Sequence, residues 1–305
     1  MILKQGFSII IPCYNAGRYI IEAVHSIIQQ PFKYPYEVIV VDDGSNDLET
    51  QKSLNKLEKV TEVKLIKLSE NKGVQVARNI AIRESKFDFV FCIDADDLLN
   101  TDPLILSEGT YPDRAIDILL DDTDIAFVHC TSLMFGQFSD LTISAYPVTE
   151  ELILKKHHAQ TSIVYRKKEA ISAGLYDESI KKWQDWSFAV SLLNYRFKNN
   201  KKNRIYFIDN PYCLYRIHNK LNRISSGNID EKSMIRTTFK KNPEIFRNYY
   251  KNLSDDEIVE SVFKNKPDKL KDLFYIASYK LNRAIEMSKK RGLVVIGKNE
   301  PPNIP

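Results

Sequence analysis

The chain has 305 residues, 43% hydrophobic and 28% charged, with a formal net charge of +4. That is the balance of an ordinary soluble globular chain of one large or two modest domains. The charge is too small to argue for a nucleic-acid partner, and no segment approaches the ~20 apolar residues of a membrane span.

The N-terminus enters a strand almost at once. Residues 8–11 form a short apolar strand stopped by Pro12. Ile20, Ile21, Val24, Ile27 and Ile28 then share one helical face, which Pro31 and Pro35 end. Residues 36–41 form a second strand, running into Asp42, Asp43, Gly44 and Ser45. A mostly polar helix with Leu54 and Leu57 on one side follows, then a third strand at 63–68 and the turn Asn71-Lys72-Gly73. Val74, Ala77, Ile80 and Ala81 mark another helix, and residues 87–93 a fourth strand. Strand and helix alternate as in a parallel sheet covered by helices, where ligands sit beyond the carboxyl ends of the strands.

Further along, 125–130, 161–165, 204–208 and 212–217 read as strands. Residues 167–173 read as a short helix stopped by Gly174. Trp183-Gln184-Asp185-Trp186 leads into a helix with Trp186, Val190 and Leu193 on one face. From about Ile229 the chain reads as helical, with a Ser254/Glu257 capping-box pattern and an amphipathic helix at 273–287 ended by Gly292. Residues 301–305 read as a loose tail. The Lys/Asn/Arg run at 198–204 reads as a solvated loop before a binding patch, leaving room for a peripheral membrane contact. Four cysteines in or beside apolar runs, without metal or redox spacing, read as buried free thiols in a reducing compartment. The N-terminus shows no signal-peptide pattern, so a cytoplasmic chain is expected, with peripheral contact at the inner face of the membrane left open.

Three strand ends carry polar chemistry on one sheet edge: Cys13-Tyr14-Asn15, Asp42-Asp43, and Asp94-Ala95-Asp96-Asp97. Three carboxylates within four positions repel one another, so a cation is expected there. The plain alternative is an acidic turn capping the next helix.

Taken together, Ser8-Ile9-Ile10-Ile11-Pro12-Cys13-Tyr14-Asn15, Glu37-Val38-Ile39-Val40-Val41-Asp42-Asp43-Gly44-Ser45, Asn71-Lys72-Gly73 with Ala77-Arg78-Asn79, and Ile93-Asp94-Ala95-Asp96-Asp97 resemble the family 2 glycosyltransferases. Gly174-Leu175-Tyr176-Asp177-Glu178 and Trp183-Gln184-Asp185-Trp186 extend the resemblance over roughly two thirds of the chain. It implies a GT-A type α/β fold, a Rossmann-like mixed sheet flanked by helices. It also implies inverting transfer from a nucleotide-diphosphate sugar, with UDP-sugars favoured. The acceptor would be a hydroxyl of a glycan, lipid-linked or protein-linked molecule.

On this resemblance residues 1–228 form the catalytic domain (1–100 nucleotide-binding, 101–228 acceptor-binding) and 229–305 a helical extension. Pro12, Tyr14 and Asn15 would lie along base and ribose. Asp43 would accept from the base and Asp42 shape its pocket. Asn71, Lys72, Gly73, Arg78, Asp94 and Ala95 join the nucleotide set. Asp96 would be the principal metal ligand with Asp94 beside it, Asp97 would hold the turn or meet the donor, and Asp185 would be the general base. Trp183, Gln184 and Trp186 would face the sugars. The family usually has Glu-Asp where this chain has Gln184-Asp185.

The residues support this chemistry independently. A leaving diphosphate needs its charge neutralised, and Mg²⁺ takes one or two carboxylates plus phosphate oxygens and water. Asp94 and Asp96 alternate onto one side if strand geometry persists. Mn²⁺ also accepts an imidazole, which makes His218 a candidate; the other reading is a surface histidine after a strand. Arg216 could pair with phosphate instead. His157 and His158 read as loop residues, His25 and His129 as structural. Asp185 could take the proton from the acceptor, desolvated by Trp183 and Trp186, or simply cap the helix that follows. Asp88, Asp117, Asp121, Asp122 and Asp124 read as solvated turns and strand ends, with Asp121-Asp122 a candidate rim of the acceptor side. A degenerate nucleotide- or glycan-binding module stays open through Gln184. A nucleotidyltransferase ranks lower, because the loop after the first strand has one glycine and no lysine.

Overall fold

The computed structural model describes residues 5–142, 147–155, 161–218, 230–265 and 269–293. His157, His158, the start of the helical region at Ile229 and the tail at 301–305 lie outside them. In chain order the first half gives β1 (Phe7–Cys13), α1 (Tyr19–Ile28), β2 (Tyr36–Asp42), α2 (Leu48–Leu57), β3 (Val63–Lys67), α3 (Val74–Glu84), β4 (Phe89–Cys92), β5 (Leu98–Leu99) and α4 (Tyr111–Asp121). The second half gives β6 (Ile125–Gly136), β7 (Asp140–Leu141), α5 (Glu150–Leu154), β8 (Val164–Arg166), α6 (Lys167–Ser172), α7 (Gln184–Lys198) and β9 (Arg204–Ile217). Helices α8 (Glu231–Lys241), α9 (Pro243–Tyr249), α10 (Asp255–Lys264) and α11 (Lys269–Arg291) follow.

One sheet runs β3-β2-β1-β4-β8-β6-β9-β5, with β7 paired to β6. Strands β1 to β4 are parallel, while β8 is antiparallel to both β4 and β6. From β1 the chain steps outward to β2 and β3, then returns to place β4 on β1's other side. The ends of β1 and β4 therefore flank a switch point, where such sheets leave a ligand crevice.

Strand alternation divides the core into two layers. Ile10, Ile39, Val41, Val90 and Cys92 pack with α3, α6 and α7. Phe7, Ile9, Ile11, Val38, Val40, Phe89 and Phe91 pack with α1, α2 and α4. Ile235, Phe239, Phe246 and Ile258 of α8 to α10 join the first layer beside Trp186 and Phe188. These C-terminal helices thus share the core of the sheet domain. The 100/101 division falls just after β5, whose partner is β9, so both halves also share the sheet.

Several expectations need correction. Pro12 does not stop β1, since it pairs with Val41 and Cys13 with Asp42. The Ile10 carbonyl accepts from Ile93 on the β4 flank and that of Cys13 from Asp43 on the β2 flank. Alternation puts Pro12 on the β4 flank, where its missing N–H falls at the point at which the pairing with β4 ends, so β1 continues on β2 alone. The strands expected at 204–208 and 212–217 are one strand, whose register against β6 skips from Cys130↔Ile208 to Thr131↔Pro211. That bulge accommodates Pro211, and its Asp209 pairs with Lys280 and Arg283 of α11. Helix α11 is kinked at Lys280.

Asp117 and Asp121 lie on α4, and Asp117 binds Lys33 and the Tyr34 hydroxyl. Asp122 and Asp124 precede β6, which runs parallel to β4; they lie at the sheet edge opposite Asp94 and do not rim the site. The basic run is neutralised residue by residue: Lys198 meets Glu244, Lys201 Glu169, Lys202 Asp124 and Arg204 Asp122. The four cysteines are buried free thiols, with Cys130 and Cys213 Sγ atoms 3.7 Å apart.

Gly44 shows how tightly the β2 turn is built. Its φ is +70°, and an added Cβ would lie 2.5 Å from the Glu70 carbonyl carbon. Gly44→Ala is therefore expected to lower stability by about 1–3 kcal/mol or more, from left-handed backbone and clash together. A urea titration checks this; an unchanged midpoint would mean the turn can be remade.

Candidate functional site

The crevice at the carboxyl edge is built from four loops. Asn15, at φ +49°, takes the left-handed conformation that asparagine tolerates. Its amide donates to Asn46 Oδ1 at 3.0 Å and its Oδ1 accepts the Asn46 N–H at 3.0 Å, so the β1 and β2 loops are tied together. Asp42 Oδ1 accepts the Ser45 N–H. Asp43 is 2% exposed, and its two oxygens accept the N–H groups of Lys72 and Gly73 at 2.7 and 2.9 Å. Asp43 thus organises the Asn71-Lys72-Gly73 turn. Tyr14, Asn15, Asn71 and Lys72 are exposed along this edge, whereas Pro12 and Ala95 are buried.

The three strand-end acids have separate partners. Asp94 Oδ1 accepts from Arg78 Nη2 at 2.8 Å. Asp96 Oδ2 lies 2.7 Å from His218 Nε2, whose ring also packs against Tyr19. Asp97 Oδ1 accepts the Arg216 N–H at 2.9 Å. Desolvation, with Asp94 and Asp96 alongside, pushes the Asp97 carboxyl well above the usual carboxylate range. Arg216 is not free to meet a phosphate. Its Nε donates to the Asp96 carbonyl and its Nη2 to Glu22, while its guanidinium lies between the Tyr19 and Phe135 rings at 4.6 and 4.5 Å. It braces the end of β9, and hence His218, against the acidic turn.

Asp185 comes to the same place from the other half of the chain. Its Oδ1 accepts from Arg78 Nη1 at 2.9 Å and its Oδ2 from the Thr161 hydroxyl at 3.1 Å. It does not cap α7. The cap position is Trp183, at φ +69°, and Asp185 lies inside the first turn. Burial works against the Arg78 charge, but Asp185 and Asp94 outweigh it and hold the guanidinium firmly protonated.

Trp186 does not face a sugar. It is 1% exposed, its Nε1 donates to the Ile153 carbonyl at 2.7 Å, and it packs near Phe246. Trp183 and Gln184 are partly exposed at the helix start; Trp183 packs against the first core layer, and Gln184 donates to the Lys181 carbonyl. Thr161, Glu22, Tyr19 and the linking role of Arg78 escaped the sequence reading.

Among the described residues no group of three metal-ligating side chains converges on one point. The pair that meets is Asp96 and His218, with one oxygen of Asp94 committed to Arg78. A carboxylate and an imidazole in contact, part-exposed beside further acids, fit an ion that completes its shell from phosphate oxygens and water.

The sheet order, the switch-point crevice and the flanking helices define a mixed α/β fold of the GT-A type. Residues 8–106 match the family model described as Glycosyl transferase family 2. That segment is about a third of the chain, and over it the chain is similar to the family 2 glycosyltransferases. Over 116 residues it is 34% identical to the poly(ribitol-phosphate) beta-N-acetylglucosaminyltransferase TarS of Staphylococcus aureus, spanning 37% of this chain and 20% of that protein. Over 102 residues it is 40% identical to the putative teichuronic acid biosynthesis glycosyltransferase TuaG of Bacillus subtilis, spanning 33% of this chain and 40% of that one. The matches therefore cover well under two thirds of these relatives. S. aureus TarS 1–349 in complex with UDP-GlcNAc superimposes with a TM-score of 0.62 at 20% identity, over 94% of this chain and 75% of that one. The mannosyltransferase PcManGT of Pyrobaculum calidifontis, in complex with GDP-Man and Mn2+, gives 0.55 at 17% identity, over 95% and 80%.

Proposed function

We propose that this chain is an inverting glycosyltransferase that moves a hexosyl or N-acetylhexosaminyl group from a UDP-sugar to a hydroxyl of a glycan or glycoconjugate acceptor, in polysaccharide synthesis. The observation that carries this reading is the Asp94–Arg78–Asp185 bridge, which sets an acid from the second half of the chain against the acids of the nucleotide edge. A transferase needs these two kinds of carboxylate side by side. One kind serves the leaving diphosphate and the other takes a proton from the incoming hydroxyl. The match to family 2 and the likeness to a fold that holds UDP-GlcNAc support the donor class.

In this reading Asp185 is the general base, and inversion follows from a single in-line attack by the acceptor oxygen. Tyr14, Asn15 and the turn held by Asp43 line the nucleotide. Asp96 and His218 would hold Mn²⁺ or Mg²⁺, with Asp94 beside them; when bound, the ion would neutralise charge growing on the diphosphate. Trp183, Gln184 and Asp97 edge the sugar side. Residues 1–228 act as the catalytic domain and 229–305 as its helical extension. Among the described residues no helix is long and apolar enough to cross a membrane; we place the reaction in the cytoplasm, with a glycan, lipid-linked or protein-linked acceptor.

A panel of nucleotide sugars, screened by thermal shift with and without Mn²⁺, tests the reading. A UDP-sugar at about a hundred times its Kd in the presence of Mn²⁺ is expected to add about 2.7 kcal/mol, and the same concentration less without the metal. Transfer or slow donor hydrolysis should accompany binding. Binding without turnover would reduce the chain to a binding module, and absence of any nucleotide response would overturn the reading.

A further inference from the structure

The resemblance groups Arg78 with the nucleotide ligands, but its surroundings assign it another task. Its side chain is 5% exposed. One arm of the fork is committed to Asp185 and the other to Asp94, and the guanidinium lies 5.1 Å from the centre of the Tyr176 ring. A planar fork with both arms occupied and an aromatic ring beside it is confined to a narrow range of positions. The helix carrying it is fixed as well. Gln75 donates to the Ile180 carbonyl, and Asn79 both accepts the Tyr176 N–H and donates to the Tyr176 carbonyl. Three polar side chains at i, i+3 and i+4 of α3 thus reach into the stretch that ends in Asp185.

We propose that Arg78 is a positioning residue of the transfer reaction. It fixes the Asp185 carboxylate relative to Asp94, and it holds Asp94 back from the divalent ion, which is left to Asp96 and His218. The proposal rests on the transferase reading. Two carboxylates facing one crevice repel, and the guanidinium bonded to both offsets that repulsion and sets their spacing. A base displaced by an ångström from its acceptor loses about a hundredfold in rate.

Arg78→Met removes charge and fork while keeping length. Arg78→Lys keeps a point charge and serves if the methionine variant does not fold. UDP·Mn²⁺ affinity is read by calorimetry, transfer in single turnover, and Mn²⁺ affinity without nucleotide by electron paramagnetic resonance. UDP·Mn²⁺ is expected to bind no more weakly than in the parent protein, while transfer falls about a hundredfold. Adding Arg78→Met to Asp185→Asn should cost nothing further, because both act through one carboxylate. Mn²⁺ alone should bind at least about threefold more tightly once Asp94 is released and the neighbouring cation is gone. Arg78→Lys should move each quantity the same way by less. A tenfold loss of UDP·Mn²⁺ affinity in step with transfer would make Arg78 a nucleotide ligand and overturn the proposal, as would additive losses with Asp185→Asn. If the parent protein transfers no sugar from any nucleotide, the transferase reading falls. The Mn²⁺ titration then decides alone: tighter binding in Arg78→Met sustains the strut, and unchanged or weaker binding ends it.

Discussion

Asp185→Asn is expected to cut sugar transfer by about a thousandfold while leaving UDP·Mn²⁺ affinity within about threefold. The substitution is close to isosteric. Its amide oxygen can still accept from Arg78 Nη1, and Thr161 can turn its hydroxyl to accept from the amide nitrogen, so both contacts of the carboxylate keep partners. What disappears is a group able to take the acceptor's proton. A neighbouring acid does not easily replace it, because Asp94 has one oxygen on Arg78 and Asp96 faces His218. Single-turnover transfer measured beside nucleotide calorimetry separates the effects. A rate within tenfold of the parent protein would remove Asp185 from the role of base.

Asp96→Asn is expected to act on the opposite step. The amide loses the charge that a hard divalent ion seeks, so the gain in UDP affinity on adding Mn²⁺ should shrink by about tenfold or more. Metal-free UDP binding should be unchanged, and transfer should fall with the metal-dependent binding. His218→Ala should give a smaller loss of the same kind, because a neutral nitrogen contributes less than a carboxylate to holding a hard ion. UDP titrations with and without chelator read the difference. Full affinity that neither chelation nor Asp96→Asn alters would take the metal away from this turn.

The two substitutions probe parts of the site that were unequally visible in the sequence. The edge bearing Asn15, Asp43 and Asp94 could be read directly, because apolar runs of strand length break off into polar residues at each place. The two clusters of the core follow the same alternation. Helix α4 was hidden by its composition. Pro112 and three acids suggest turns, yet Pro112 stands in the first turn, where its lost N–H has no partner to miss, and the Thr110 hydroxyl caps the end. The spacing of Trp186, Val190 and Leu193 already put Trp186 on the buried stripe of α7, and its indole is indeed in the core. The appeal of an indole beside an acid as a sugar platform outweighed that signal. Arg78 gave no local sign of its partner. It lies 107 positions from Asp185, and a pairing across the crevice has no periodicity to betray it. A faint clue remained in α3, where Gln75, Arg78 and Asn79 interrupt an alanine-lined face that a core-packing helix would otherwise keep apolar.

The placement of β8 and β9 bears on how this protein can be taken apart. The segment matching the family ends at residue 106, but β4 lies along β8 and β5 along β9, both contributed from beyond that point. The stretch that carries the ancestry is therefore not a unit that closes on itself. Cut there, it would present the buried flank of β4 as a raw edge open to any passing strand, and it would lack His218 and Asp185. Grafting residues 8–106 onto a relative would succeed only where that relative supplies a strand to take the place of β8, so inheritance in this chain is modular in sequence but not in folding.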